Sequence, residues 1–74
     1  MDKKEFLKAI AEILMTDEDD LKEEMELNSF SDFDSIAFLQ IITLFEQELK
    51  LEIDLEAIRK LHTVKDLLKL GNFV

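Results

Sequence analysis

The segment Asp32–Ile36 contains the residues with the clearest potential for chemistry in this 74-residue chain. A serine hydroxyl, Ser35, directly follows the carboxylate of Asp34 at the predicted start of a helix. Serine and aspartate are common helix caps, because their side-chain oxygens accept hydrogen bonds from free backbone N–H groups. A phosphodiester on Ser35 is the alternative, because unpaired N–H groups and the helix dipole favour a phosphate at this position. The segment by itself leaves both interpretations open.

Two other candidate sites are weaker. The acidic run Asp17–Asp20 could suggest calcium, but the sixth position of an EF-hand loop would be Lys22 and not glycine. His62 is the only histidine, and we assign it no catalytic role. A hydrolytic pair of Ser35 with His62 would need an orienting acid and an oxyanion hole, and no nucleophile-elbow sequence is present. We therefore predict no catalytic residue, no metal site and no enzyme activity.

A long helix must position Ser35. Apolar residues at helical spacing predict a first helix over residues 3–15 and a second helix from Asp34-Ser35 through Leu49. The side chains that we expect to form the core stripe of the second helix are Phe38, Ile41, Ile42, Phe45 and Leu49.

Two more helices are predicted after residue 50, a short one and then a last main helix. Asp54 is the candidate cap of one or two helical turns. Thr63-Val64-Lys65-Asp66 fits a capping box at the start of the last helix, and Gly71 is its predicted end. The predicted fold is all-α, a single domain of residues 1–74. It is a small antiparallel four-helix bundle with three main helices and one short one, and its long loop lies between helices one and two.

That long loop, residues 17–34, is strongly acidic, with nine carboxylates and one Lys22. Five apolar side chains lie among the charges at no single period, and we expect them to pin the loop to the core: Leu21, Met25, Leu27, Phe30 and Phe33. A loop of this length in a compact domain is usually functional or disordered, and the apolar anchors argue against disorder.

The second helix carries more apolar side chains than one core stripe needs. Those off the core stripe are Ile36, Ala37, Leu39 and Leu44, and we expect part of this set to face solvent. Leu39 and Leu44 are predicted to be exposed, whereas the pattern leaves burial and exposure of Ile36 equally open. An exposed apolar patch beside an acidic loop suits a basic partner with a hydrophobic centre.

The net charge of −9 argues against nucleic acid and anionic lipid as partners. It favours basic protein partners, although such a charge also simply keeps a small protein soluble. No stretch approaches the roughly 20 apolar residues of a membrane span, and the first residues lack an apolar leader. Because there is also no cysteine, we expect a cytoplasmic monomer that does not insert into membranes.

The chain resembles the acyl carrier protein family over nearly its whole length. Asp34-Ser35-Ile36 follows a long acidic loop at the start of the second helix, where the family has Asp-Ser-Leu, and Thr63-Val64 opens the last helix, where the family often has Thr-Val. The resemblance implies that a phosphopantetheinyl transferase attaches 4′-phosphopantetheine from coenzyme A to Ser35, with magnesium bound on the transferase. Asp34 would then help the transferase to recognise the site.

The resemblance also implies how cargo is held. The terminal thiol of the phosphopantetheine arm would carry an acyl or aminoacyl group as a thioester. The bundle interior between the second and third helices would shelter an apolar chain. Acyl-loading and acyl-processing enzymes with basic docking surfaces would be the partners.

The chain departs from the family pattern around the motif. Phe33 replaces a small or varied residue, no glycine lies in the preceding loop, and Ile36 stands for the usual leucine. The early turns of the second helix lack the usual acids, since Glu46 and Glu48 come only later. We therefore expect recognition to depend partly on apolar contacts, through five residues: Asp34, Ile36, Leu39, Gln40 and Glu46.

These departures favour a specialised, free-standing carrier in fatty acid, polyketide or related biosynthesis over a housekeeping role in fatty acid synthesis. An unmodified, carrier-like helical module that binds partners without an arm is the alternative.

Overall fold

Four helices dominate the computed structural model, which describes residues 1–74. They are α1 (Lys3–Ile13), α2 (Ser35–Leu44), α3 (Leu55–Arg59) and α4 (Val64–Leu70). A π-helical turn over Phe45–Leu49 extends α2, so the helical backbone reaches the predicted end at Leu49. There is no β-strand, and the only bridge joins Glu26 to Thr63. The predicted small all-α fold is confirmed, and no helix is both long and apolar enough to cross a lipid bilayer.

Helix α1 is closed by a capping motif at each end. Asp2 accepts a hydrogen bond from the Glu5 N–H at 2.8 Å, and the Glu5 carboxylate accepts one from the Asp2 N–H at 3.1 Å. The helix ends at Ile13, two residues before the predicted end, because Met15 takes a left-handed conformation with φ 59°. The Thr16 N–H then bonds the carbonyl five residues back, which is the Schellman arrangement.

The core is one cluster of twelve buried side chains drawn from all four helices and the acidic loop. Phe6 lies at its centre, edge-on to Phe45 at 5.6 Å and tilted against Phe73 at 4.7 Å between ring centroids. Of the predicted stripe of α2, Ile41 and Phe45 are fully buried. The other members, Phe38, Ile42 and Leu49, are half-buried and pack against the cluster.

One prediction about α2, the exposure of Leu44, is wrong, and Ala37, which lies off the predicted core stripe, is only 2% exposed. Leu44, predicted to be exposed, is half-buried against the core cluster. Both follow from the position of α1, which packs against this side of α2 and brings Ile13 beside Leu44.

The acidic loop is ordered by its apolar anchors and by backbone pairing with the start of α4. Leu21 and Leu27 are buried, and the other three predicted anchors pack partly against the core. The Leu27 N–H donates to the His62 carbonyl at 2.8 Å, and the Val64 N–H donates to the Met25 carbonyl at 3.0 Å. The loop carbonyls thus satisfy free N–H groups of α4, a pairing that the sequence pattern did not predict.

Helix α4 ends at Gly71 as predicted, but not for the expected reason. Gly71 has φ −86°, and the left-handed residue is Asn72 with φ 65°. The glycine is needed for space, because a Cβ there would lie 3.0 Å from the Phe73 ring and 3.3 Å from Leu49. Gly71 therefore lets the end of the chain fold back onto the core.

Candidate functional site

Asp34 is the N-cap of α2. Its backbone is extended, and its Oδ1 accepts hydrogen bonds from the N–H groups of Ile36 at 3.1 Å and Ala37 at 3.2 Å. The sequence did not distinguish whether Asp34 or Ser35 caps the helix, and in the structure the cap is Asp34. The second carboxylate oxygen, Oδ2, makes no hydrogen bond within the chain and faces solvent with the exposed side chain.

Ser35 is the first residue of α2 and is exposed. Its hydroxyl makes no hydrogen bond within the chain, so it takes no part in capping. The backbone N–H of Ser35 also has no acceptor, whereas the next two N–H groups already bond Asp34. We predicted several unpaired N–H groups that could bind a phosphate here. The structure leaves only one, the N–H of Ser35 itself.

Phe33 fixes the approach of the loop to the helix. Its ring lies edge-on to the ring of Phe38, with 4.8 Å between centroids and 74° between planes. Phe33 immediately precedes the cap and Phe38 is the fourth helical residue, which are the two positions of a hydrophobic staple. The aromatic residue that departs from the family pattern thus holds the loop in the orientation that places Ser35 at the helix start.

The predicted recognition residues are all exposed. Ile36 is 68% exposed and Leu39 is 63% exposed, which settles the open question about Ile36. Ser35, Leu39 and Glu46 are spaced by four and seven residues, so they share one face of α2. Gln40 lies on another side of the helix, beside the groove that α2 forms with α1.

Other predicted features do not gather around Ser35. His62 has an exposed side chain whose imidazole makes no hydrogen bond within the chain, and its backbone N–H donates to Asp66 Oδ2 at 3.0 Å. The N–H of Thr63 donates to the same oxygen at 3.1 Å. These two hydrogen bonds lower the pKa of Asp66 below its usual value of 3.8, and the bond from His62 has the larger effect. No group of three or more His, Asp or Glu side chains is arranged to hold a metal ion.

The space between α2 and α3 is closed. Five surface depressions are present, and none is lined by a residue of α3. The structure therefore holds no open channel for an apolar chain at the place that the resemblance suggested. A chain could enter there only if core side chains such as Ile41 and Ile58, both fully buried, moved apart.

Met15 is the exposed apolar residue near the site that the sequence pattern missed. It is 77% exposed and lines a depression of about 200 Å³ together with Asp34 and Ile36. One signal was available: at 3.6 residues per turn, Met15 lies about 180° around the helix from Phe6, away from the core.

The site thus consists of an exposed serine whose hydroxyl makes no hydrogen bond within the chain and which begins α2 directly after its capping aspartate. A family model described as phosphopantetheine attachment site matches residues 4–70. The chain therefore belongs to the phosphopantetheine-attachment family, the acyl carrier type of domain, in which 4′-phosphopantetheine is bound covalently. Comparisons with curated proteins and with solved structures find no match.

Proposed function

We propose that this protein carries acyl or aminoacyl groups as thioesters on a 4′-phosphopantetheine arm attached to Ser35. One observation supports Ser35 above the other hydroxyls. It is an exposed serine that begins a helix, and its hydroxyl stays unbonded because Asp34 provides the cap. Of the other two serines, Ser29 donates its hydroxyl proton to the Glu26 carbonyl at 2.6 Å, and Ser31 lies in a turn of the loop.

The attachment step requires little of this chain. The Ser35 oxygen forms a new bond to the phosphorus that bears pantetheine in coenzyme A, and the pyrophosphate bond of coenzyme A breaks. Adenosine 3′,5′-bisphosphate leaves, and the serine proton passes to a base on the transferase. The free Oδ2 of Asp34 is the group of this chain best placed to meet the transferase and its magnesium. Ser35 is thus an acceptor and the chain has no catalytic role in this step.

Partner recognition combines charge with apolar contact. Only one ion pair forms, Lys3 with Glu23 at 2.9 Å, so nearly all the carboxylates remain free to attract basic surfaces. Ile36 and Leu39 add apolar area beside Ser35. The lack of acids on the early turns of α2 supports a specialised carrier in fatty acid, polyketide or related biosynthesis, serving loading and processing enzymes with basic docking surfaces.

The test is modification by coenzyme A and a broad-specificity phosphopantetheinyl transferase, followed by intact-protein mass spectrometry. We expect a gain of one phosphopantetheine group in the parent protein and in Ser31→Ala, and no gain in Ser35→Ala. Ser31→Ala is the matched control because Ser31 is also an exposed serine close to the motif. A parent protein that stays unmodified would instead support the unmodified interaction module.

A further inference from the structure

Three apolar side chains are the most exposed of the chain's large hydrophobic residues. Met15 is 77%, Ile36 is 68% and Leu39 is 63% exposed, and the next most exposed is the terminal Val74. Met15 and Ile36 line the same depression, which also contains the cap Asp34. The exposed apolar surface of this small protein is therefore concentrated beside Ser35.

Neither backbone preference nor core packing explains a methionine at position 15. The residue occupies the C′ position of a Schellman motif with φ 59°, a conformation that favours glycine or asparagine. Helix α4 follows this preference and has Asn72 at the equivalent position, with φ 65°. Met15 does not pack against the core cluster, since more than three quarters of its surface faces solvent. A long apolar side chain held in an unfavourable backbone conformation points to contact with another molecule.

The surroundings of Met15 carry charge of one sign. Met15 lies between two depressions and lines both of them. Glu12, Asp17 and Asp20 line one, and Asp32 and Asp34 line the other. No lysine or arginine lines either depression. A complementary partner must therefore have an apolar recess surrounded by basic side chains.

We infer that Met15 is an anchor by which the phosphopantetheinyl transferase docks on this chain, inserting with Ile36 into an apolar recess bordered by basic residues. The inference rests on the proposed attachment at Ser35, because an enzyme that acts on Ser35 must cover the surface around Asp34 and Ile36. A second copy of this chain is a poorer occupant, because two acidic surfaces with a net charge of −9 each repel one another.

The test compares Met15→Gly with Lys50→Gly as substrates of the broad-specificity transferase. Both variants place glycine at a left-handed residue, since Lys50 has φ 56°, but only the first removes apolar surface beside Ser35. We expect Met15→Gly to lower kcat/KM about fivefold to tenfold, through KM, because part of a methionine side chain loses its burial on docking. Lys50→Gly should leave both constants unchanged, and Met15→Leu should retain most of the parent activity.

Melting curves distinguish a loss of docking in Met15→Gly from a loss of stability. Met15→Gly should melt no lower than the parent, since glycine suits the backbone, and yet be the poorer substrate. Equal kcat/KM for the parent and Met15→Gly would overturn the inference, as would an equal loss in Lys50→Gly. A concentration-dependent dimer that Met15→Gly dissolves would also overturn it. Because the parent is assayed alongside, an absence of any modification would identify failure of the proposed attachment itself.

Discussion

At the scale of single residues, the division of roles between Asp34 and Ser35 is the central feature. In an arbitrary helix either side chain could be the cap. Here Asp34 Oδ1 accepts hydrogen bonds from the N–H groups of Ile36 and Ala37, and the hydroxyl of Ser35 is left without an intramolecular partner. The aspartate therefore has two properties that can be separated by mutation: it stabilises the start of α2, and it presents a negative charge beside the serine that we propose as the acceptor.

Two substitutions of Asp34 separate these functions. Asp34→Ala removes the cap and should lower the free energy of unfolding by about 1 kcal/mol. Asp34→Asn keeps a capping oxygen but loses the charge, so it should unfold like the parent in urea while being modified more slowly by the transferase. If Asp34→Asn were modified at the parent rate, the charge of Asp34 would have no part in recognition.

Substitution of Phe33 should destabilise the first turn of α2 while leaving Asp34 and Ser35 in the sequence. In Phe33→Ala the staple to Phe38 is lost, and we expect a destabilisation of about 1 kcal/mol from the aromatic pair. Amide exchange of Ile36 and Ala37 should become faster as the first turn of α2 frays. Phe30→Ala is the control, because Phe30 anchors the same loop but makes no ring pair. Equal exchange rates in both variants would argue against the staple.

At the scale of elements, the end-capping motifs hold the short helices in place. Helix α4 has only seven residues, and its capping box joins Thr63 and Asp66 reciprocally. Asp66 also accepts the N–H of His62, and Val64 donates to the acidic loop. The start of α4 is thereby the point at which the last helix and the loop before α2 are joined.

The capping box predicts a specific acid sensitivity. The pKa of Asp66 is lower in the folded protein than its usual 3.8, because the N–H groups of His62 and Thr63 stabilise the carboxylate. Its contribution to stability is therefore fully present above that usual value, and it is lost as the pH falls through the folded pKa. The free energies of unfolding in urea of the parent and of Asp66→Asn should differ at pH 7, and the difference should shrink as the pH falls below about 3.8 towards the folded pKa of Asp66. A constant difference down to pH 3 would contradict this assignment.

Local signals in the sequence predicted most of these elements. The caps Asp54 and Thr63, the second helix and the anchored loop were all visible, because each depends on neighbouring residues. The features that the sequence did not predict depend on contacts between distant segments. The burial of Ala37 depends on where α1 packs, and the pairing of the loop with α4 depends on the whole fold. At the site, the motif predicted Ser35 as the attachment residue, but only the structure could show that its hydroxyl makes no hydrogen bond within the chain and that Met15 lies nearby.

At the scale of the whole molecule, charge and apolar surface are arranged unevenly. The chain has 18 acidic and 9 basic side chains. The acidic loop and the exposed apolar residues Met15, Ile36 and Leu39 lie on the part of the molecule that presents Ser35. Long-range attraction can therefore bring a basic enzyme to this side of the protein, while apolar contacts hold it there.

This arrangement predicts a partial dependence of modification on salt. Raising the ionic strength from 0.02 M to about 0.3 M shortens the screening length severalfold, so the KM for the transferase should rise. It should then level off, since the apolar contacts of Leu39 and its neighbours are insensitive to salt. In Leu39→Asp the KM should be higher at every salt concentration, with an unchanged melting temperature because Leu39 is 63% exposed. A KM that does not change with salt concentration would show that charge plays no part in docking of the transferase.

The most direct test of the central proposal is to locate the attached group by cleavage before aspartate residues. This cleavage produces peptide 34–53, in which Ser35 is the only serine, and peptide 20–31, which contains both Ser29 and Ser31. After reaction with coenzyme A and the transferase, we predict that the mass of one phosphopantetheine group appears on peptide 34–53 alone. The same mass on peptide 20–31, or on neither peptide, would contradict the assignment of the arm to Ser35.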